Sequence, residues 1–261
     1  MGMLPSSVRS SAAAGYWSAS RAHRHSLVFA LPLLLLYEGL AAVLGSGAGS
    51  DVRNGADVIL TSLFQAIAGR FEPILFAVVV IGTSIWLVAR DLQRGGRLRP
   101  IYLAAMLAES AALASIFGLA VGLVTSQILR PIAALEPAGA PAVLAAATVD
   151  QMDVATRLMV SLGAGLYEEL LFRVILVAAI AFVGRTFIGW RPVTAGVVAV
   201  IVGAVLFSAF HYVGPYGDPF ELQSFTFRAL AGLYFSALYL LRGFGITAWT
   251  HALYDVFILA L

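Results

Sequence analysis

The sequence predicts an all-α, polytopic transmembrane bundle of seven or eight helices around an internal cavity. Three observations predict it. Of 261 residues, 61% are hydrophobic and 11% are charged, whereas a soluble domain carries about a quarter charged residues. The mean hydropathy is +0.92. Finally, the apolar residues gather into seven runs that approach or exceed the ~20 residues needed to cross ~30 Å of hydrocarbon. Runs of this kind must be helical, because lipid cannot satisfy free backbone groups.

In chain order, residues 1–25 are expected to form a cytoplasmic tail and residues 26–261 a single membrane domain. The first run is Ser26–Leu44. Its length, its long leading arm and the presence of Glu38 argue for a retained span over a cleaved signal peptide. Next come Pro73–Ala89, Ile101–Ile128, Leu158–Val183, Val193–Tyr212 and Phe225–Leu241. The last run, Ile246–Leu261, is short and carries His251 and Asp255. Asp51–Gly69 and Ala138–Ala155 are mildly amphipathic and suit the membrane interface. Trp17, Trp86, Trp190 and Trp249 are expected to be interfacial anchors. Gly163, Ala164 and Gly165 suit close helix packing.

The connections alternate in charge. Arg21 and Arg24 precede the first run, Arg90, Arg94, Arg97 and Arg99 fill the second connection, and Arg185, Arg191 and Arg242 mark the fourth and sixth. Most carboxylates outside the runs, such as Asp57, Glu72, Glu136, Asp150 and Asp218, lie in the intervening connections, which also carry Arg53, Arg70, Arg130 and Arg157, so the bias is strong without being absolute. The positive-inside rule therefore predicts a multi-pass cell-membrane protein with a cytoplasmic N-terminus. All 16 basic residues are arginine, and with abundant Ala and Gly this composition fits a GC-rich bacterial genome. A net charge of +2 gives no reason to expect a nucleic-acid partner, and the absence of cysteine excludes thiolate chemistry. The expected partners are membrane lipid and a membrane-associated protein or peptide substrate.

Ionisable groups inside a span cost several kcal/mol and point to function. Glu168, Glu169 and Arg173 form the densest group. Glu169 and Arg173 are four apart and share a helical face, while Glu168 points about 100° away. One carboxylate can thus be held in an ion pair while its neighbour faces elsewhere, an arrangement suited to general-base work. A purely structural salt bridge would account for Glu169 and Arg173 but would leave Glu168 in need of its own partner. His211 closes the fifth run, after Phe207, and taken alone is as compatible with an interfacial position as with catalysis. His251 and Asp255 are again four apart, so the carboxylate can orient the imidazole or the two can share a ligand. Glu38 and Glu109 read as structural charges or as lining of a water path, with Arg228 as a candidate partner for either.

The order Glu-Glu-x-x-x-Arg, then Phe-x-x-x-His, then His-x-x-x-Asp, each on a separate late helix, resembles the CAAX protease and bacteriocin-processing (Abi) family. This is a family of intramembrane peptidases that includes the type II CAAX prenyl endopeptidases. The likeness covers about residues 158–261 and is compatible with lipidated substrates. It implies that Glu168 activates water, that Glu169 and Arg173 support and orient the site, that His211 shares the water or helps polarise the scissile carbonyl, and that His251 lies near the oxyanion. Position 255 is often Asn in the family. The Asp255 found here accepts hydrogen bonds unless protonated, so orienting His251 suits it better than binding the oxyanion directly.

Zinc is an alternative: Glu168, His211, His251 and Asp255 are legitimate ligands, although the compact H-E-x-x-H motif is missing. A metal-free glutamate mechanism is the favoured expectation. A simple up-and-down topology would spread His211, Glu168 and His251 over ~15 Å of depth. One site therefore requires that some helices tilt or stop short, or that the segment after His211 dips inward. Outside catalysis, the competing readings are a non-catalytic scaffold or bacteriocin-immunity protein, and a proton-coupled transporter. The transporter would call for repeated halves, which the sequence does not show.

Overall fold

The computed structural model describes residues 15–45, 52–133, 152–214 and 217–260. Most of the 1–25 tail, Asp51, most of the 138–155 segment with Glu136 and Asp150, and residues 215 and 216 lie outside the described residues. Every regular element among the described residues is helical. They are α1 (His23–Gly45), α2 (Gly55–Ala68), α3 (Glu72–Phe76), α4 (Thr83–Gln93), α5 (Pro100–Ala133), α6 (Val154–Gly163), α7 (Val177–Thr186), α8 (Pro192–Phe210), α9 (Leu222–Arg242) and α10 (Phe244–Asp255). A short helical stretch, 15–21, precedes α1.

Five helical stretches are long and apolar enough to cross a membrane: His23–Gly45, Gly55–Gln93, Pro100–Ile132, Pro192–Phe210 and Leu222–Arg242. The second of these is not one rod. Gly69 adopts φ 53°, a conformation glycine takes without steric cost, and Phe64 comes back against Phe76 with ring centroids 5.5 Å apart. The crossing portion therefore begins at α3. It continues through a π-helical turn, Ala77–Gly82, into α4. Two further runs match the remaining expected spans. Residues 154–186 are helical almost throughout, with α6 and α7 joined by π-helical turns at Ala164–Glu168 and Leu170–Leu176. The short final run, Phe244–Leu259, is also apolar and helical. The chain is thus an all-α polytopic bundle.

Helix starts follow local chemistry. Asn54 caps α2 by accepting from the Ala56 amide at 2.9 Å, and Asp153 caps α6 by accepting from the Thr156 amide at 2.9 Å. The Thr156 amide, and then its hydroxyl, hold the exposed Asp153 carboxyl below the usual carboxylate range. Pro192 opens α8, where its missing N–H costs nothing.

In lipid, apolar side chains gain little by leaving the bilayer, so helices associate through packing and interhelical hydrogen bonds. The outward residues fit that rule: Ile101, Phe187 and Val193 are each more than 70% exposed. Inside, α1 and α10 run side by side. The Gly245 amide donates to Ser26 Oγ at 2.8 Å and the Trp249 indole N–H donates to the Phe29 carbonyl at 2.6 Å. A side chain at Gly245 would overlap the Ser26 backbone. Trp249 is consequently a helix-to-helix tie, unlike the interfacial anchor expected of it, whereas Trp17 and Trp86 are half exposed. The 154–186 helix is pressed equally closely onto α10, since a Cβ at Gly165 would collide with the backbone of Ala248 and with Ala252.

Candidate active site

The close approach at Gly165 sets up the site, because it places the turns that follow beside His251. Glu169 lies between two π-helical turns, a distortion frequent at functional sites. It has no solvent exposure. One of its oxygens meets His251 Nδ1 at 2.7 Å and the other meets Arg173 Nε at 3.2 Å. The Arg173 guanidinium is buried and lies over the Phe207 ring at 4.3 Å and near Phe235 at 5.5 Å. His251 stacks on Phe235, with centroids 4.4 Å apart. These contacts tie α8, α9, α10 and the 154–186 helix together through one carboxylate.

Glu168 faces another way, as adjacent helical positions must. Its Oε1 accepts from Asn54 Nδ2 at 2.9 Å, and its Oε2 lies 4.0 Å from His211 Nε2. Among the described residues Oε2 has no hydrogen-bond partner, although it is buried. His211 Nδ1 is 2.9 Å from the Phe207 carbonyl. A carbonyl can only accept, so the ring proton resides on Nδ1, and neutral His211 turns the lone pair of Nε2 toward Glu168.

The structure thus brings together Glu168 with His211, and Glu169 with Arg173 and His251. Asp255 is adjacent: its Oδ2 is 3.6 Å from His251 Nε2, beyond hydrogen-bond range. The expected spread in depth is absent, because helix 154–186 and α8 form an antiparallel pair about the turn at Gly189. Glu168 and His211 lie almost equally far from that turn along the chain, and α8 stops at Phe210, just before His211. The segment beyond folds back, with the Asp218 amide donating to the His211 carbonyl at 2.9 Å.

Arg228 does not pair with Glu38 or Glu109. It lies near the start of α9 and pairs with Asp218. Glu109, early in α5, instead meets Arg242 at the opposite end of α9, with contacts of 2.6 and 2.7 Å. Glu38 accepts from Tyr167 at 2.6 Å and from Arg53 at 3.2 Å.

Asn54 was not among the expected site residues. It is buried, and its two amide atoms have separate tasks. Oδ1 caps α2, so Nδ2 must be the atom presented to Glu168. Its backbone N–H donates to Tyr37, whose hydroxyl donates to Asp57. The sequence signal was Asn-Gly before an apolar helix, which ordinarily reads as a cap and nothing more.

Among the described residues, no three His, Asp or Glu side chains converge as metal ligands. The four candidate zinc ligands divide into a Glu168–His211 pair and a His251–Asp255 pair, with His251 Nδ1 taken by Glu169. That arrangement does not fit one tetrahedral ion.

Fold and site together define a polytopic membrane protein with an acid–base cluster buried among its helices. Residues 150–257, which contain all six expected site residues, match the family model described as type II CAAX prenyl endopeptidase Rce1-like. This region, about two-fifths of the chain, is thus similar to the CAAX-type intramembrane endopeptidases. No curated protein and no solved structure matches the chain.

Proposed function

We propose that the protein hydrolyses peptide bonds of membrane-associated proteins, with Glu168 as the base that activates water. The observation that carries this reading is the gap between Glu168 Oε2 and His211 Nε2. At 4.0 Å, the pair is too long for a direct hydrogen bond, and a water admitted beside it would reach both atoms. Water donates one proton toward Oε2 and the other toward the Nε2 lone pair, which aims its oxygen at a substrate carbonyl.

Attack forms the C–O bond, moves the carbonyl π electrons onto oxygen and passes a proton to Glu168. Collapse of the tetrahedral intermediate breaks the C–N bond, and Glu168 returns the proton to the leaving amine. Asn54 acts as a positioning residue. Because its N–H occupies Oε1, the transferred proton is carried on Oε2, facing the substrate. His251, held as the imidazolium with Nδ1 donating to Glu169, supplies an Nε2 donor to the developing oxyanion, and Arg173 balances Glu169. Asp255 faces that same nitrogen from 3.6 Å and favours its charged form without a hydrogen bond.

Membranes from host cells expressing either the wild type or Glu168→Gln at equal levels provide the test. Protein termini present only with the wild type support the reading. Identical termini across several growth conditions overturn it and favour a scaffold.

A further inference from the structure

The 94–99 linker between α4 and α5 is held firmly against the start of α1. Arg24 Nη1 pairs with Asp91 at 2.9 Å, and Arg24 Nε donates to the Arg97 carbonyl at 3.1 Å. The Arg99 amide donates to His25 Nε2 at 3.0 Å, and Arg99 Nη1 donates to the Tyr102 hydroxyl at 2.8 Å. Gly95 takes φ 86°, and a Cβ at Gly96 would strike the Arg24 guanidinium. The linker therefore passes as close to Arg24 as a backbone can.

Between this linker and the 15–21 helical stretch lies a pocket of about 250 Å³, walled by Arg24, Gly95, Gly96, Arg97, Arg99 and Tyr102. That is well beyond the ~30 Å³ share of a single water. Its charges are unequal in status. Arg24 is neutralised by Asp91, whereas Arg97 and Arg99 have no carboxylate within ion-pair distance among the described residues. The pocket lies at the ends of membrane-crossing helices, the depth at which lipid phosphates reside. Exposed apolar side chains flank it: Leu98, Ile101 and Leu92 are 41, 71 and 42% exposed.

We propose that this pocket is a binding site for a phosphate group, carried by a lipid headgroup or by a soluble phosphate ester. Arg97 and Arg99 supply the charge and the N–H donors, in the manner by which guanidinium groups bind phosphate oxygens. Tyr102 fixes the orientation of Arg99. For a lipid, the neighbouring apolar faces of α4 and α5 receive the acyl chains. The proposal is independent of the peptidase reading.

The test is retention of phosphatidylglycerol by the purified full chain, read by native mass spectrometry against a phosphate-free galactosyl diacylglycerol. A parallel arm titrates inorganic phosphate. Preferential retention of phosphatidylglycerol is expected, reduced about tenfold or more in Arg97→Gln/Arg99→Gln. Arg97→Lys/Arg99→Lys should retain it and show that the fold is intact. Displacement by millimolar inorganic phosphate would uphold the site and assign it to a soluble ester, and indifference to phosphate would assign it to lipid. Equal retention of both lipids together with no response to phosphate overturns the proposal. So does an equal loss in Arg185→Gln/Arg191→Gln, which alters exposed arginines elsewhere.

Discussion

Two clusters of charge are buried in this bundle, and they differ in how completely their hydrogen bonds are satisfied. In the Glu109–Arg242 cluster, both carboxylate oxygens accept from the guanidinium, Tyr16 adds a further donor, and the guanidinium lies 3.8 Å over the Trp17 ring. In the Glu168–Glu169 cluster, Glu168 Oε2 and both terminal nitrogens of Arg173 lack hydrogen-bond partners among the described residues. A saturated pair holds helices together. An unsaturated one keeps interactions in reserve for a reacting group, at a cost that structure alone does not repay.

Exchanges made in each cluster separate the two roles. Glu168→Gln is expected to lower cleavage by about 10³-fold, within the range for removing a general base, with melting temperature unchanged. Glu109→Gln should do the reverse. It should cost about 3 kcal/mol by stranding Arg242, read as a lower melting temperature, while activity per folded molecule is retained. If Glu109→Gln abolished turnover in well-folded protein, the division into structural and reactive clusters would fail.

His211→Asn should lower kcat about 10²-fold, since water keeps only one of its two partners. Asn54→Asp retains a side chain able to cap α2 but sets a second carboxylate beside buried Glu168, so one of the two must take a proton; kcat should fall about tenfold or more and the melting temperature should drop. Asn54→Ala should lose about 1 kcal/mol of stability as well. Equal kcat for Asn54→Asp and wild type would remove Asn54 from the mechanism. The smallest effect is expected at Asp255. Asp255→Asn should stay within about tenfold of wild type, because the 3.6 Å separation leaves little hydrogen bond to lose. Zinc content and activity, measured together after chelation, should prove uncoupled. Stoichiometric zinc lost in step with activity would instead require the two side-chain pairs to close around an ion.

Much of this was legible in the sequence. The seven runs were, because apolar length is a one-dimensional signal. The Glu169–Arg173 contact was, because an (i, i+4) spacing survives even through a π-helical turn. Partners far apart in sequence were not. Asn54 and Glu168 are separated by 114 positions, and nothing in an Asn-Gly cap announces a carboxylate beside it. Arg228 looked like a partner for Glu109 only because both are charges inside spans. Helix direction decides the matter, and it places Arg242 at the level of Glu109. The depth conflict arose from treating His211 as the end of a full span, when the equal arms of the 154–186 and α8 pair bring it level with Glu168.

The early end of α8 also acts as a ruler. His211 and Asp255 are the most exposed of the six site side chains, so the site opens toward the face where α8 ends and α6 begins. Glu168 is 14 residues beyond Val154, at most ~21 Å along the helix. A chain entering from that face covers this distance with about six extended residues, but would need about fourteen if it stayed helical. On the peptidase reading, an extended substrate segment needs fewer than half the residues of a helical one, and the distance between its membrane-surface anchor and the cut bond follows the length of α6 and the turns after it.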